Sequence, residues 1–273
     1  MERGKEGGDA GFSRGALKLN KSGILFHAKH AYMPNLLGYC GPEERGKILR
    51  GIERDEAGDD LVTTLKEFEA AYPFLKLIAR NNGREAFDYP VPEAYWIGNS
   101  LLERVPVSDF HGFAHRELKG MGREKTRLVL KSMNGPALPH HSFYVMSTYA
   151  VGGPGNGADL SNEASKKIAE LIDNCRISWG KVVKVGSDEL KVELKPLAID
   201  DGRLALTKPV LRRVKYNAGV KPFGAVKPGD VVSLHWNYAC DVLTPRQSKN
   251  IEKYTSADIR LVNSLTQSRH IRK

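Results

Sequence analysis

Five short segments decide the fold of this chain: ISWGKVVKV (177–185), ELKVELKP (189–196), RLAL (203–206), VLRRVKY (210–216) and VVSLHW (231–236). They are rich in β-branched and aromatic residues, and several alternate apolar and polar positions, as strands do. Turn residues separate them, among them Gly186-Ser187-Asp188 and Pro228-Gly229-Asp230. Five short strands at this spacing predict a small closed barrel of the OB or SH3 type.

The residues before the barrel follow a mainly helical pattern. Apolar side chains recur at positions 61, 65, 68 and 72, which predicts one helix that Pro73 breaks or kinks. We predict a further helix that opens at Pro92 and a surface helix over 114–132. The run SFYVMSTYAV (142–151) is rich in aromatic and β-branched residues and therefore predicts a strand.

The organisation predicted from these patterns is α+β. It has a mostly helical N-terminal domain and an OB/SH3-like β-barrel closed by a C-terminal helix, which opens at Thr244-Pro245 with proline in the first helical position. We expect a disordered leader over 1–20, a mainly helical domain over 21–151, a glycine linker and connecting helix over 152–173, the barrel over 174–243, the C-terminal helix over 244–266 and a basic tail over 267–273.

The composition narrows the class of protein. The chain has 273 residues, 41% hydrophobic and 27% charged, which excludes a disordered or fibrous protein. It contains no run of about 18 apolar residues, so we expect no membrane span. Three cysteines are too few for a disulfide framework, and a reducing cytoplasm is the expected compartment. The net charge of +10 suggests nucleic acid as a partner.

Two possible metal ligands bracket the barrel. Cys175 stands just before the first strand, and His235 lies in the last strand. Because the first and last strands of a small closed barrel are usually neighbours, these two side chains are expected to meet. A thiolate and an imidazole suit iron, zinc or copper. The alternative is that Cys175 and Cys240 are small buried apolar residues, as free cysteine often is.

The same two regions resemble a known family. Residues 174–185 (NCRISWGKVVKV) and 226–239 (VKPGDVVSLHWNYA) are similar to the HypC/HupF family of nickel–iron hydrogenase assembly chaperones. The resemblance implies that Cys175 and His235 hold an iron atom with cyanide and carbon monoxide ligands. It also implies that the partner is the hydrogenase large subunit or another maturation protein.

The whole chain also resembles an uncharacterised prokaryotic family of unknown function. The matching segments are 33–42 (MPNLLGYCGP), 93–99 (EAYWIGN), 139–143 (PHHSF), 175–180 and 234–241. No activity follows from this resemblance.

Other histidines and cysteines are weaker candidates. His140 and His141 would point to opposite faces of a strand, so only one of them is expected to complete the metal site, with Cys240 as a further candidate. The pairs at 27 and 30 and at 111 and 115 each share a helix face, although ordinary hydrogen-bonded histidines explain both spacings. Cys40 lies in a turn, either as a structural residue or as an exposed thiol.

The positive charge is concentrated in one stretch. Between Arg203 and Lys227 there are seven basic residues and no acid. Arg212, Arg213 and Lys215, together with Trp236, are the expected partner-binding residues. The pattern fits either a single-stranded nucleic acid on an OB-like barrel or an acidic protein surface.

Standard enzyme motifs are missing from the sequence, among them G-x-S-x-G, the Walker A pattern and H-E-x-x-H. The favoured hypothesis is therefore an accessory or maturation factor for a metalloenzyme, most of all nickel–iron hydrogenase, rather than an enzyme. The alternatives are an OB-like single-stranded nucleic-acid-binding protein and a metal-dependent enzyme of unknown reaction.

Overall fold

The computed structural model describes residues 14–117, 138–152, 163–200, 202–220 and 223–270. Its helices are α1 (Arg14–Leu36), α2 (Gly46–Arg54), α3 (Asp59–Lys66), α4 (Ala71–Arg80), α5 (Pro90–Trp96), α6 (Val107–Glu117), α7 (His141–Gly152), α8 (Glu163–Cys175) and α9 (Pro245–His270). The predicted α+β fold with a helical N-terminal region is confirmed.

Seven strands follow α8 within the described residues: β1 (Ser178–Val185), β2 (Glu189–Leu194), β3 (Leu197–Asp200), β4 (Arg203–Leu206), β5 (Val210–Lys215), β6 (Val231–His235) and β7 (Tyr238–Leu243). Five of them close a barrel in the order β1-β2-β5-β7-β6, and β3 pairs with β4 in a separate hairpin. Since β1 pairs with β6, the residues that precede β1 lie beside the end of β6.

The five-stranded barrel was predicted, but its membership is corrected. The segment 203–206 is a strand, yet it lies outside the barrel, and β7 takes its place. The reason is burial: Leu204 joins the helical core, and the Asn263 side chain of α9 bonds both the N–H and the carbonyl of Leu204, at 2.8 and 2.9 Å. The interior of the barrel is a second, smaller core that includes Val192 and Val214.

The predicted strand over 142–151 is wrong, because this segment is helix α7. Phe143 and Met146 are both buried, one turn apart, in the helical core where α7 packs on α9. A helix buried on most of its surface can contain many β-branched and aromatic residues, because packing overrides local propensity.

The remaining expectations are corrected at element ends. The helix expected through 72 is divided, since α3 ends at Lys66 and Pro73 sits in the first turn of α4. Helix α5 begins at Pro90 rather than Pro92. Helix α1 begins at Arg14, inside the leader expected to be disordered.

Several expectations concern residues outside the described part: 1–13 of the leader, 118–132 of the surface helix, 153–162 of the linker region and 271–273 of the tail. Among the described helices, none has both the length and the apolar character needed to cross a bilayer.

Helix α1 fastens the helical part to the barrel. His30 Nε2 accepts a hydrogen bond from the Ser233 hydroxyl of β6 at 3.0 Å, and Lys29 Nζ pairs with Asp241 of β7 at 2.6 Å. Both contacts are largely shielded from water, so they hold α1 in one register on β6 and β7. This docking places the C-terminal half of α1 beside the end of β6.

Candidate metal centre

His141, Cys175 and His235 converge in the structure: one ligand atom from each lies within 4.8 Å of those of the other two. His141 is the first residue of α7, Cys175 is the last residue of α8 and His235 is the last residue of β6. Cys175 and His235 meet because the chain runs from α8 directly into β1, the neighbour of β6. His141 arrives from the helical part of the molecule.

His235 is held in an orientation suited to metal binding. Its Nδ1 lies 2.7 Å from the His30 carbonyl oxygen, which can only accept, so Nδ1–H donates. Nε2 is then an acceptor, and it is buried without a hydrogen-bond partner among the described residues. Metal-binding histidines commonly donate their other ring N–H to a carbonyl in this way. Burial lowers the pKa of His235 to about 4, so its imidazole is neutral at pH 7.

His141 is also neutral but fully bonded. Its Nε2 lies 2.9 Å from the carbonyl oxygen of Cys175, and its Nδ1 lies 3.1 Å from the Tyr95 hydroxyl. Because the carbonyl only accepts, Nε2–H donates to it, and the Tyr95 O–H donates to Nδ1. Burial lowers the pKa of His141 well below its ordinary value. A metal bound at His141 Nδ1 would displace the hydrogen bond that the Tyr95 hydroxyl donates to that atom.

Cys175 is a thiol at neutral pH. Burial raises the pKa of the Cys175 thiol to about 11, and the nearby Trp236 indole N–H lowers it by a smaller amount. That N–H has no hydrogen-bond partner within the part of the chain that the structure describes. Reactive cysteines are usually found at helix N-termini or beside cations, whereas Cys175 ends a helix. The environment therefore disfavours a free nucleophilic thiolate, and a bound cation would supply the missing positive charge.

The three residues line one cavity of about 1080 Å³. The cavity is lined by aromatic and charged side chains, among others. The aromatic residues are Tyr39, Phe68, Tyr72, Tyr95, Trp96, Tyr144 and Trp236, and the charged ones are Lys66, Glu67, Glu69 and Lys76. A cavity of this size admits a bulky group to the three candidate ligands.

Trp96 lies at the centre of four buried histidines. The ring centroids of His27, His30, His141 and His235 lie 5.4, 5.7, 4.6 and 5.6 Å from that of Trp96. The Trp96 indole N–H donates to His27 Nδ1 at 2.8 Å. The spacing of His27 and His30 pointed to one helix face, but only tertiary packing shows that His30 orients His235 through its carbonyl.

His140 and Cys240, the other predicted ligands, lie outside this cluster. His140 Nδ1 is 2.6 Å from the Asp258 carboxylate of α9, and the Cys240 thiol of β7 lies 3.6 Å from the Tyr238 carbonyl. The expectation that only one of His140 and His141 joins the site rested on strand geometry, and that premise is wrong. In the structure His141 begins α7 and His140 precedes it.

The predicted partner-binding residues do not share one surface. Arg213 and Lys215 are exposed on the same face of β5. Arg212 lies on the other face and pairs with Asp173 at 3.2 Å. Trp236 lines the cavity, and its ring stacks on Tyr39 at a centroid distance of 3.9 Å and an interplanar angle of 10°.

Trp236 is also strained. It and Asn237 have φ of 52° and 56° in the two-residue turn between β6 and β7. Positive φ is rare for a bulky residue, and such strain concentrates at functional sites.

The sequence model of a protein family of unknown function matches residues 19–269, which is nearly the entire chain. No curated protein and no solved structure shows significant similarity to it.

Proposed function

We propose that this chain, which belongs to the DUF6390 family of unknown function, binds a metal ion through His141, Cys175 and His235 and serves as an accessory factor in metalloenzyme assembly. The observation that carries the proposal is the convergence of three ligand atoms within 4.8 Å, two of them from buried neutral imidazoles. His235 Nε2, which has no hydrogen-bond partner among the described residues, offers a lone pair at this point.

The donor set defines the class of metal. One sulfur and two imidazole nitrogens suit iron, zinc or copper rather than magnesium or calcium. Three protein ligands leave at least one coordination position open, as in sites where the metal meets an external group, whereas structural zinc sites are closed by four. Here that group would enter from the cavity that the three residues line.

The resemblance of the barrel to hydrogenase assembly chaperones supports iron as the cargo. In this proposal Cys175 and His235 hold an iron fragment with cyanide and carbon monoxide ligands, and His141 is the third protein ligand. The cavity accommodates the small ligands on the iron, and the partner is the hydrogenase large subunit or another maturation protein.

The test is anaerobic purification followed by metal analysis and infrared spectroscopy. We expect bound iron with cyanide and carbon monoxide bands in the wild-type protein and loss of metal in Cys175→Ser and His235→Ala. Cys240→Ala is the matched control, since Cys240 lies outside the cluster, and it should retain metal.

Unchanged metal content in both ligand variants would refute the site. Metal without the infrared bands would refute the iron cargo alone. Tight, salt-sensitive oligonucleotide binding by metal-free protein would favour a nucleic-acid function instead.

A further inference from the structure

We propose that Cys40 is a fourth protein ligand, carried to the metal by the turn over residues 37–42, so that metal binding closes the site. This inference rests on the proposed metal site and adds a ligand and a means of closure. The sequence predicted only that Cys40 lies in a turn and did not identify it as a metal ligand.

The turn that carries Cys40 has a defined shape. It follows the end of α1, and its glycines at 38 and 41 have φ of 77° and 82°. The buried Asn35 side chain donates to the carbonyls of Cys40 and Pro42 at 3.1 and 2.7 Å. Cys40 itself is exposed and lines the same cavity as His141, Cys175 and His235.

An aromatic stack joins this turn to the residue that follows His235. Tyr39 precedes Cys40, and its ring lies parallel to that of Trp236, the residue after His235. Tyr39 is an exposed aromatic residue, so the stack ties a surface turn to the strained end of the barrel hairpin. The Tyr39–Trp236 stack therefore joins the residue before Cys40 to the residue after His235.

A buried acceptor atom marks the point where a cation would bind. His235 Nε2 is buried without a hydrogen-bond partner among the described residues, and His235 lines the same cavity as Cys40.

Closure requires the turn to move, because Cys40 is not among the three residues whose ligand atoms lie within 4.8 Å. On metal binding both thiols would lose their protons to solvent, and the Cys40 sulfur would take the coordination position that the three-ligand site leaves open. The result is a Cys₂His₂ set, which tetrahedral zinc favours. The three-ligand site would thus be open to the cavity, and the four-ligand site would be covered by the turn.

X-ray absorption spectroscopy of the zinc-loaded full-length protein tests this proposal, because it counts sulfur ligands at about 2.3 Å. We expect two sulfurs in the wild-type protein and in Cys240→Ala, and one in Cys40→Ser. We also expect zinc to bind Cys40→Ser at least about tenfold more weakly, since even outer-shell changes weaken metal binding by about 10–100-fold.

The outcomes separate the two proposals. One sulfur in the wild-type protein, unchanged in Cys40→Ser, would overturn the role of Cys40 and leave the three-ligand site standing. Failure of the wild-type protein to bind zinc or iron would overturn both. Circular dichroism of Cys40→Ser checks that an exposed turn substitution leaves the fold intact.

Discussion

His27 should make the stability of this protein fall as the pH decreases. Its side chain is fully buried, with Nδ1 accepting from the Trp96 indole and Nε2 without a partner among the described residues. Aromatic rings of Phe68 and Phe87 lie 6.4 and 5.8 Å away, centroid to centroid. Nothing described around the ring compensates a positive charge, and burial lowers the pKa of His27 to about 3.

The size of the effect follows from proton linkage. Because the folded pKa lies below the unfolded value of about 6.5, the contribution of His27 is complete above that value and is lost as the pH falls toward 3. Between about pH 7.0 and pH 5.5, His27 alone lowers the free energy of unfolding by about 1.2 kcal/mol. The full loss below the folded pKa is about 5 kcal/mol.

Urea unfolding of metal-free wild-type protein and His27→Gln at several pH values measures this contribution. We expect the wild-type protein to lose about 1.2 kcal/mol more than the variant over that pH range. The comparison cancels the opposite effect of Asp241 and Asp258, whose pKa values burial raises. Between about pH 7.5 and pH 8.5, the difference between the two proteins should stay constant, which serves as the control. Parallel pH profiles at lower pH would refute a buried, neutral His27.

Four further substitutions test the packing by denaturant unfolding. Glu93→Ala should destabilise by about 1–3 kcal/mol, because the side-chain amides of Asn99 and Gln247 each lose a buried acceptor. Arg246→Ala, at a side chain that is 73% exposed, should cost about 1 kcal/mol or less. Equal losses in the two variants would contradict this asymmetry. Asn237→Gly should raise the free energy of unfolding by up to about 1 kcal/mol, because glycine adopts φ of 56° without strain. A lower free energy of unfolding would show that contacts of the Asn237 side chain outweigh this backbone effect. Gly180→Ala should cost about 1–3 kcal/mol, since its Cβ would lie 2.4 Å from Val192 Cγ1, and wild-type stability would show that the barrel adjusts freely.

The alternation of apolar and polar residues was sufficient to predict the strands that have one buried and one exposed face. The alternation in 177–185 and 189–196 predicts strands because each has one face in the barrel core and one in water. Local pattern failed for 142–151, because the side chains of residues 142–147 are almost all buried and leave no exposed polar face to mark a helix. Local pattern also could not show that β4 pairs with β3 outside the barrel, because the alternation in 203–206 predicts a strand without naming its partner.

The candidate site divides in the same way. Cys175 and His235 could be paired from the sequence, because barrel closure brings the first strand beside the penultimate one, β6, and the two residues flank those strands. His141 could be ranked but not selected, because its position depends on how α7 packs on α9. No pattern in the sequence predicted that Trp96 lies among four histidines rather than in an ordinary apolar core.

The sequence by itself determined the strand-rich C-terminal half, the helical N-terminal half and a Cys/His pair at the ends of the barrel, because all three depend on local pattern and chain order. Only the tertiary structure decided which histidine joins the pair, that four neutral imidazoles surround Trp96, and that the turn with Cys40 lines the same cavity. Those features depend on the docking of α1 and α7 against β6. Contacts between residues some 100–200 positions apart establish that docking, and no periodicity in the chain encodes them.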